Sequence, residues 1–198
     1  MDIRAADICP VDIWILNLDC DRRIVLTPDE EKRAARLYRE LDRLRWARAR
    51  TALREILSSR LECRPLDVRF ETGVHGKPFI KGGPRFNLSH SGQWAAVAVA
   101  SAAEVGIDIE QMRERVDVAK LLERLGENDL PDSGSGESRP ALFQRWARRE
   151  AASKTAGGAL FQPVDGRVQV KDLKAPDGYV AAVGMLGFEP EPVYRGSW

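Results

Sequence analysis

The chain has 198 residues, of which 43% are hydrophobic and 31% charged, as in globular proteins of one domain or two small ones. A net charge of only +1 argues against nucleic acid as a partner, and no apolar run approaches the roughly 20 residues that span a bilayer. The N-terminus lacks the basic tip and apolar stretch of a secretory signal. We therefore expect a cytoplasmic protein that binds neither nucleic acid nor membrane.

The first part of the chain predicts a strand, a long helix and a second strand. Val11 to Leu18 is a short apolar run with strand character. Thr27 and Glu30 form a capping box, and apolar residues at helical spacing then predict one helix that reaches about Leu61. Leu66 to Glu71 alternates between apolar and polar residues, which is typical of a strand.

The rest of the chain predicts strands and helices around one irregular segment. Residues 126–140 are rich in Gly, Ser, Pro and acidic residues, which predicts a flexible excursion. The predicted strands are Trp94 to Ala100, Val105 to Glu110, Val164 to Val170 and Tyr179 to Leu186, and the predicted helices are Val116 to Leu125 and Phe143 to Thr155.

This element order predicts an α+β fold with two similar halves. We assign residues 1–100 to an N-terminal α+β subdomain and residues 101–198 to a C-terminal one. A chain that carries both halves, and the cleft between them, predicts a monomer.

Two carboxylates lie two residues apart on the predicted strand VGIDIE. Asp108 and Glu110 therefore project from the same face, while Ile107 and Ile109 point the other way into a core. Paired carboxylates at a strand end suit magnesium, which prefers oxygen ligands. A polar strand face that forms surface hydrogen bonds is the alternative, and this motif alone does not decide between them.

Trp146, Glu150 and Lys154 are spaced four apart and lie along one face of a predicted helix. Glu150 and Lys154 could simply form an ion pair that supports the helix. In a functional interpretation Glu150 is a third oxygen ligand or a base, and Lys154 lies near a phosphate. The spacing leaves both interpretations open.

Two further clusters carry groups that bind phosphate. Phe86 to Gly92 (FNLSHSG) places a histidine among hydroxyls ahead of an apolar strand, as in a phosphate cradle. A Ser/His hydrolase is disfavoured, because no G-x-S-x-G surrounds either serine. Arginines recur between Arg33 and Arg54, where they form either solvated helix surface or a basic face for a multiply phosphorylated ligand.

Taken in order, four clusters resemble the 4′-phosphopantetheinyl transferases of the Sfp type. They are GKP at 76–78, FNLSHSGQW at 86–94, VGIDIE at 105–110 and WARREAASK at 146–154. Each cluster is weak alone, but four in the family's order and near its spacing are specific, and the looser match runs from about Thr27 to Leu186. The resemblance implies two similar α+β subdomains in a pseudo-twofold arrangement, with coenzyme A in the cleft between them.

The resemblance also implies a reaction and a set of roles. The enzyme would transfer the 4′-phosphopantetheine of coenzyme A to a serine of an acyl or peptidyl carrier protein, releasing 3′,5′-ADP. Asp108, Glu110 and Glu150 would hold Mg²⁺. Glu150 would be the base, directly or through a metal-bound water, with Asp108 as an alternative, and Lys154 would protonate or steady the leaving 3′,5′-ADP. The implied coenzyme A contacts are Arg45, Arg50, Lys77, Pro78, Ser89, His90 and Lys154.

Two departures and two alternatives remain. Arg149 stands where the family has lysine, and arginine is not a proton donor near neutral pH. The acidic 126–140 segment leaves the carrier open among those of fatty acid, polyketide and nonribosomal peptide biosynthesis. A non-catalytic binder of coenzyme A or another nucleotide is one alternative. A metal-dependent phosphodiesterase is the other, but the chain has only two histidines, His75 and His90.

Overall fold

The structure is a computed structural model that describes residues 7–114, 117, 120, 138–157 and 165–196. The predicted α+β class is confirmed. The helices of the described residues are α1 (Pro28–Ala35), α2 (Glu40–Leu61) and α3 (Arg139–Thr155). The strands are β1 (Ile8–Asn17), β2 (Glu71–Thr72), β3 (Pro78–Phe79), β4 (Arg85–Ser91), β5 (Trp94–Ala100), β6 (Val105–Gln111), β7 (Val168–Leu173), β8 (Tyr179–Leu186) and β9 (Glu189–Tyr194). None of these helices has the length and apolar character needed to cross a membrane.

Two main sheets organise the described residues. The first has the strand order β4-β5-β1-β9, and the second has the order β6-β8-β7. Neighbouring strands are antiparallel except β1 and β9, which run parallel with Ile8 opposite Glu189. The last strand of the described chain thus completes the sheet built from the first strand.

The two sheets pack face to face, and each carries a helix on its outer side. Alternating residues of the first sheet, such as Ile13, meet Ile107 and Val183 of the second sheet in one buried cluster. The opposite face of the first sheet packs against Leu53 of α2. Helix α3 covers the second sheet, with Ala147 in contact with its outer face. The order of layers is therefore helix, sheet, sheet, helix.

Helix α3 lies unusually close to the second sheet because two glycines face it. A Cβ added at Gly106 would lie 2.2 Å from the carbonyl oxygen of Ala151, and one added at Gly184 would lie 2.6 Å from Thr155 Oγ1. A side chain at either position would push the helix outward. The glycines of β6 and β8 therefore set how closely the residues of α3 approach the carboxylates of β6.

The predicted single helix from Thr27 to Leu61 is wrong, because the structure has two helices. The capping box is confirmed, since Glu30 N donates to Thr27 Oγ1 and Thr27 N donates to Glu30 Oε2. Helix α1 ends at Ala35, and α2 begins only at Glu40. No proline or glycine marks the break.

The predicted strand from Leu66 to Glu71 is also replaced by other structure. Residues 65–67 form a 3₁₀ turn, and strand pairing starts only at Glu71. The guanidinium of Arg54 donates to the carbonyl oxygens of Pro65 and Val68 at 2.8 and 3.1 Å, which ties this segment to α2.

The other predicted strands before residue 111 agree closely with the structure, and Tyr179 to Leu186 agrees in full. Of the predicted strand from Val164 to Val170, the described part begins pairing at Val168. Most of the predicted helix from Val116 to Leu125 and residues 126–137 of the predicted flexible segment lie outside the described residues. The end of that segment is not a flexible excursion, because Arg139 and Pro140 form the start of α3, which begins four residues before the predicted Phe143 and ends at Thr155 as predicted. The division at residue 100 stays a prediction.

Candidate active site

Strand β4 presents a row of polar side chains to β6. Its odd-numbered residues alternate onto one face, and each of three bonds to a successive part of β6. These bonds are Ile107 N to Asn87 Oδ1 at 2.9 Å, Ser89 Oγ to Asp108 Oδ1 at 2.8 Å, and Ser91 Oγ to Glu110 Oε2 at 2.8 Å. The row joins the two sheets and fixes both carboxylates of β6.

Asp108 lies at the centre of the site, with only 1% of its surface exposed. Lys154 of α3 places its Nζ 2.5 Å from Asp108 Oδ1, 3.3 Å from Ser89 Oγ and 3.5 Å from Glu150 Oε2. This burial excludes the surface-strand interpretation for Asp108. The helical ion pair of Glu150 and Lys154 does form, and the same lysine also reaches across to β6.

Charge and burial shift the pKa values of these groups. Burial, reinforced by the negative charge of Asp108, raises the pKa of Glu110. Burial also raises the pKa of Glu150, where the repulsion from Asp108 is opposed by the attraction of Lys154. Burial alone would lower the pKa of Lys154, but Asp108 and Glu150 raise it above its ordinary value. Lys154 therefore stays protonated and is the cation that balances this acidic cluster.

The donor set fits a hard divalent cation. Asp108 Oδ2 is buried and has no hydrogen-bond partner, so a carboxylate oxygen is available in the interior of the site. Within the described ranges, no three His, Cys, Asp or Glu side chains already surround a common point as metal ligands. The three predicted ligands are neighbours on β6 and α3, and side-chain rotation would have to bring them together around a cation.

Two cavities, each of about 550 Å³, meet at His90. Both have the volume of typical small-molecule sites. The residues of the first include Arg50, Phe70, Pro78, Ser89, His90 and Lys154. The residues of the second include Leu37, Arg45, Trp46, His90, Ser91 and Arg113. A cleft thus runs along β4, from Lys154 at the C-terminal end of α3 to the N-terminal end of α2.

The two arginines predicted to contact coenzyme A lie in different cavities. Arg50 in the first cavity pairs with Glu30 and stacks over the ring of Phe70, with 3.8 Å between its guanidinium carbon and the ring centroid. Arg45 in the second cavity forms two hydrogen bonds of 2.8 and 2.7 Å to Asp19. The structure does not bring them together, and each already has an acidic partner.

The remaining predicted contacts lie along the same cleft in different orientations. Pro78 lines the first cavity, whereas the ammonium of Lys77 bonds to Glu104 and to backbone carbonyls. His90 is exposed to solvent where the cavities meet. Partial desolvation by the cleft walls and the positive charge of Lys154 lower the pKa of His90, which favours the neutral ring near pH 7.

Sequence reasoning missed four residues of the cleft. Asn87 and Ser91 could have been found, because the alternation in FNLSHS places them on the same strand face as Ser89. Trp46 and Phe70 line the cavities, but a single aromatic residue in a helix or a loop carries no signal of this kind.

Comparisons with known proteins agree with this architecture. A family model described as 4′-phosphopantetheinyl transferase, N-terminal, matches residues 20–102. The 4′-phosphopantetheinyl transferase HetI of Nostoc sp. is 32% identical, and the alignment covers 93% of this chain and 91% of HetI. Sfp of Bacillus subtilis is 29% identical over 71% of this chain and 64% of its own length. AcpT of Salmonella typhimurium is 41% identical over 46% of this chain and 51% of its own length.

The chain belongs to the 4′-phosphopantetheinyl transferase family. It is an enzyme of the transferase class, and the predicted resemblance to the Sfp type is confirmed.

Proposed function

We propose that this enzyme transfers the 4′-phosphopantetheine of coenzyme A to a serine of an acyl or peptidyl carrier protein in a magnesium-dependent reaction. The observation that carries the proposal is the buried Asp108, which accepts hydrogen bonds from Ser89 and Lys154, two residues that line the first cavity. Glu110 and Glu150 lie beside it. Family membership supports the class of reaction, and this cluster supports its chemistry.

The cleft suits an anionic nucleotide. Coenzyme A carries a pyrophosphate and a 3′-phosphate, and both need positive partners. Arg50 and Lys154, which carry positive charge, and Ser89, which offers a hydroxyl, all line the first cavity. Because Arg50 shares its charge with Glu30, we expect it to contribute to a phosphate contact less than an unpaired arginine would.

The residues that would hold Mg²⁺ are Asp108, Glu110 and Glu150. When bound, this ion neutralises charge that accumulates on the transferring phosphoryl group and on the leaving phosphate. The available Oδ2 of Asp108 supports this assignment. A cation near Asp108 would also relieve the repulsion that raises the pKa of Glu110 and Glu150.

In the proposed reaction the serine oxygen bonds to the β-phosphorus of coenzyme A as the bond from that phosphorus to the oxygen of 3′,5′-ADP breaks. The serine proton must go to a base. Glu150 is the proposed acceptor, because burial raises its pKa and so makes it a stronger base than an exposed glutamate. Asp108 is the alternative acceptor.

Lys154 is the proposed electrostatic partner of the leaving group. It stays protonated because Asp108 and Glu150 raise its pKa, so it donates hydrogen bonds and supplies a fixed positive charge. His90, with its lowered pKa, would contact a phosphate through a neutral N–H. Positioning and electrostatics therefore supply most of the catalysis, as is usual in phosphoryl transfer.

A panel of apo carrier proteins tests the proposal. Each carrier from fatty acid, polyketide and nonribosomal peptide synthesis is incubated with the enzyme, coenzyme A and Mg²⁺, and its intact mass is measured. We expect the mass of phosphopantetheine to appear on at least one carrier, to depend on Mg²⁺, and to be matched by released 3′,5′-ADP. Nucleotide binding without transfer to any carrier would contradict the proposal. The carrier's pathway and a cytoplasmic location stay predictions.

A further inference from the structure

Lys77 joins the loop before β3 to the two elements that carry the acidic cluster. Its side chain is only 15% exposed. The ammonium lies 3.1 Å from Glu104 Oε2, 3.0 Å from the carbonyl oxygen of Val105 and 3.4 Å from that of Thr155. All three hydrogens of the ammonium thus have acceptors within the protein.

Two of these acceptors are backbone carbonyl groups at the start of β6 and at the end of α3. Val105 is the first residue of β6, three residues before Asp108. Thr155 is the last residue of α3 and directly follows Lys154. A positive charge at the C-terminus of a helix is favourable, because the last carbonyl groups lack partners in the helix and carry its negative end.

The distance between Lys154 and Asp108 depends on how α3 is seated against β6. Gly106 and Gly184 let the helix approach the sheet, but small residues do not stop it from sliding along the strand. The ammonium of Lys77 binds the start of the strand and the end of the helix at once. These two bonds therefore oppose sliding of α3 along β6, which the glycine contacts alone do not prevent.

We propose that Lys77 is a positioning residue that holds α3 in register with β6 and so sets the geometry of Lys154 and Glu150 against Asp108. The expected changes in kcat and KM rest on the proposed function, whereas the structural role of Lys77 does not. A direct contact between this ammonium and coenzyme A would require it to leave three acceptors in a largely buried position. The side chain of Lys77 thus acts through the protein rather than on the nucleotide.

Two substitutions test the proposal. Lys77→Met keeps the apolar stem and removes the charge, whereas Lys77→Arg keeps a charge that can still reach the carbonyls. For Lys77→Met we expect kcat to fall by about tenfold or more while KM for coenzyme A changes less than about twofold, and for Lys77→Arg we expect partial recovery of kcat. A rise in KM with unchanged kcat would identify a direct coenzyme contact and overturn the proposal.

Amide hydrogen exchange gives a second measurement that needs neither coenzyme nor carrier. We expect the last turn of α3 to exchange about tenfold faster or more in Lys77→Met, and near the wild-type rate in Lys77→Arg. Lys81→Met, which removes an exposed lysine four residues further along the chain, is the matched control and should change neither exchange nor kcat. Unchanged exchange in Lys77→Met overturns the positioning role even if the wild-type protein modifies no carrier, so the two failures are distinguishable.

Discussion

Asp108 has two carboxylate oxygens in different environments. Oδ1 accepts hydrogen bonds from Ser89 and Lys154, while the buried Oδ2 has no hydrogen-bond partner. A buried carboxylate is expensive unless a cation compensates it, and Lys154 supplies that compensation from α3. The arrangement keeps an ionised carboxylate in the interior with one oxygen available, which is the property a site for a hard cation requires.

Asp108→Asn tests this arrangement with little change in shape. The amide keeps the side-chain volume but removes the charge, and it leaves Lys154 with the ion pair to Glu150 and the attraction of Glu110. We expect kcat/KM to fall by about a hundredfold or more, because charge stabilisation of the transferring group is lost. Steady-state kinetics with any carrier that the wild-type enzyme modifies provides the measurement.

Asp172→Asn is the matched control for that substitution. Asp172 lies on β7 and pairs with Arg148 on the surface, away from the cleft. We expect its activity to equal that of the wild type within about twofold, since an exposed ion pair contributes little. Full activity in Asp108→Asn would refute the proposed role of Asp108.

The sequence predicted which carboxylates share a face of β6, but it did not predict the hydrogen-bond partners of Arg45 and Lys77. The spacing of Asp108 and Glu110 in a strand places both on one face, and the structure agrees. The pairing of Arg45 with Asp19 joins residues 26 positions apart, and periodicity carries no information about contacts across such a separation. The orientation of Lys77 is equally inaccessible, because it depends on where α3 ends in space.

The break between α1 and α2 allows Glu30 of α1 to contact α2. This carboxylate is buried in α1, and Arg50 and Arg54 of α2 both pair with it. A continuous helix would carry Glu30 far along the axis from Arg50 and Arg54, at 1.5 Å per residue. The turn between residues 35 and 40 lets the single carboxylate of Glu30 pair with both arginines.

The ion pairs of Glu30 with Arg50 and Arg54 make the free energy of unfolding depend on pH. Burial alone would raise the pKa of Glu30, but hydrogen bonds from Arg54, the Thr27 backbone and Arg50 lower it to about 2. A lowered folded-state pKa means that the stabilisation is complete above the unfolded value of 4.5 and is lost as the pH falls from there through about 2. The shift corresponds to about 3 kcal/mol of unfolding free energy.

Glu30→Gln should therefore destabilise the protein by about 3 kcal/mol at pH 7 and by progressively less below pH 4.5. Urea unfolding of the variant and the wild type between pH 7 and pH 3 measures the difference. Glu31→Gln, an exposed neighbour on the same helix, should show no comparable difference at any pH. A destabilisation by Glu30→Gln that stays constant down to pH 3 would contradict the stabilisation of the ionised Glu30 by these arginines.

The sequence correctly predicted those elements that are defined by interactions between residues close together in the chain. The capping box at Thr27, strand β5 and strand β8 agree with the structure because capping and apolar periodicity suffice to define them. Strand β9 has the sequence EPEPVY, whose prolines disfavour a strand, and no strand was predicted there. It forms as an edge strand beside β1, where proline is tolerated.

At the scale of the whole molecule, the site is built where the two sheets meet. The first sheet contributes β4 and the second contributes β6, and these strands are joined by side chains rather than by a backbone ladder. Asn87 provides one of these links, since its Oδ1 accepts the hydrogen bond of Ile107 N within the buried junction. The packing of the two sheets and the placement of Asp108 therefore depend on the same contacts.

Asn87→Ala should weaken the junction and the site together. The substitution leaves the buried N–H of Ile107 without its acceptor, which costs about 1–3 kcal/mol of unfolding free energy. Because Ile107 directly precedes Asp108, we expect kcat/KM to fall as well. Urea unfolding and steady-state kinetics are measured beside Gln93→Ala, which truncates an exposed amide in the turn after β4. Equal stability of these two variants would mean that the contact does not hold the sheets together.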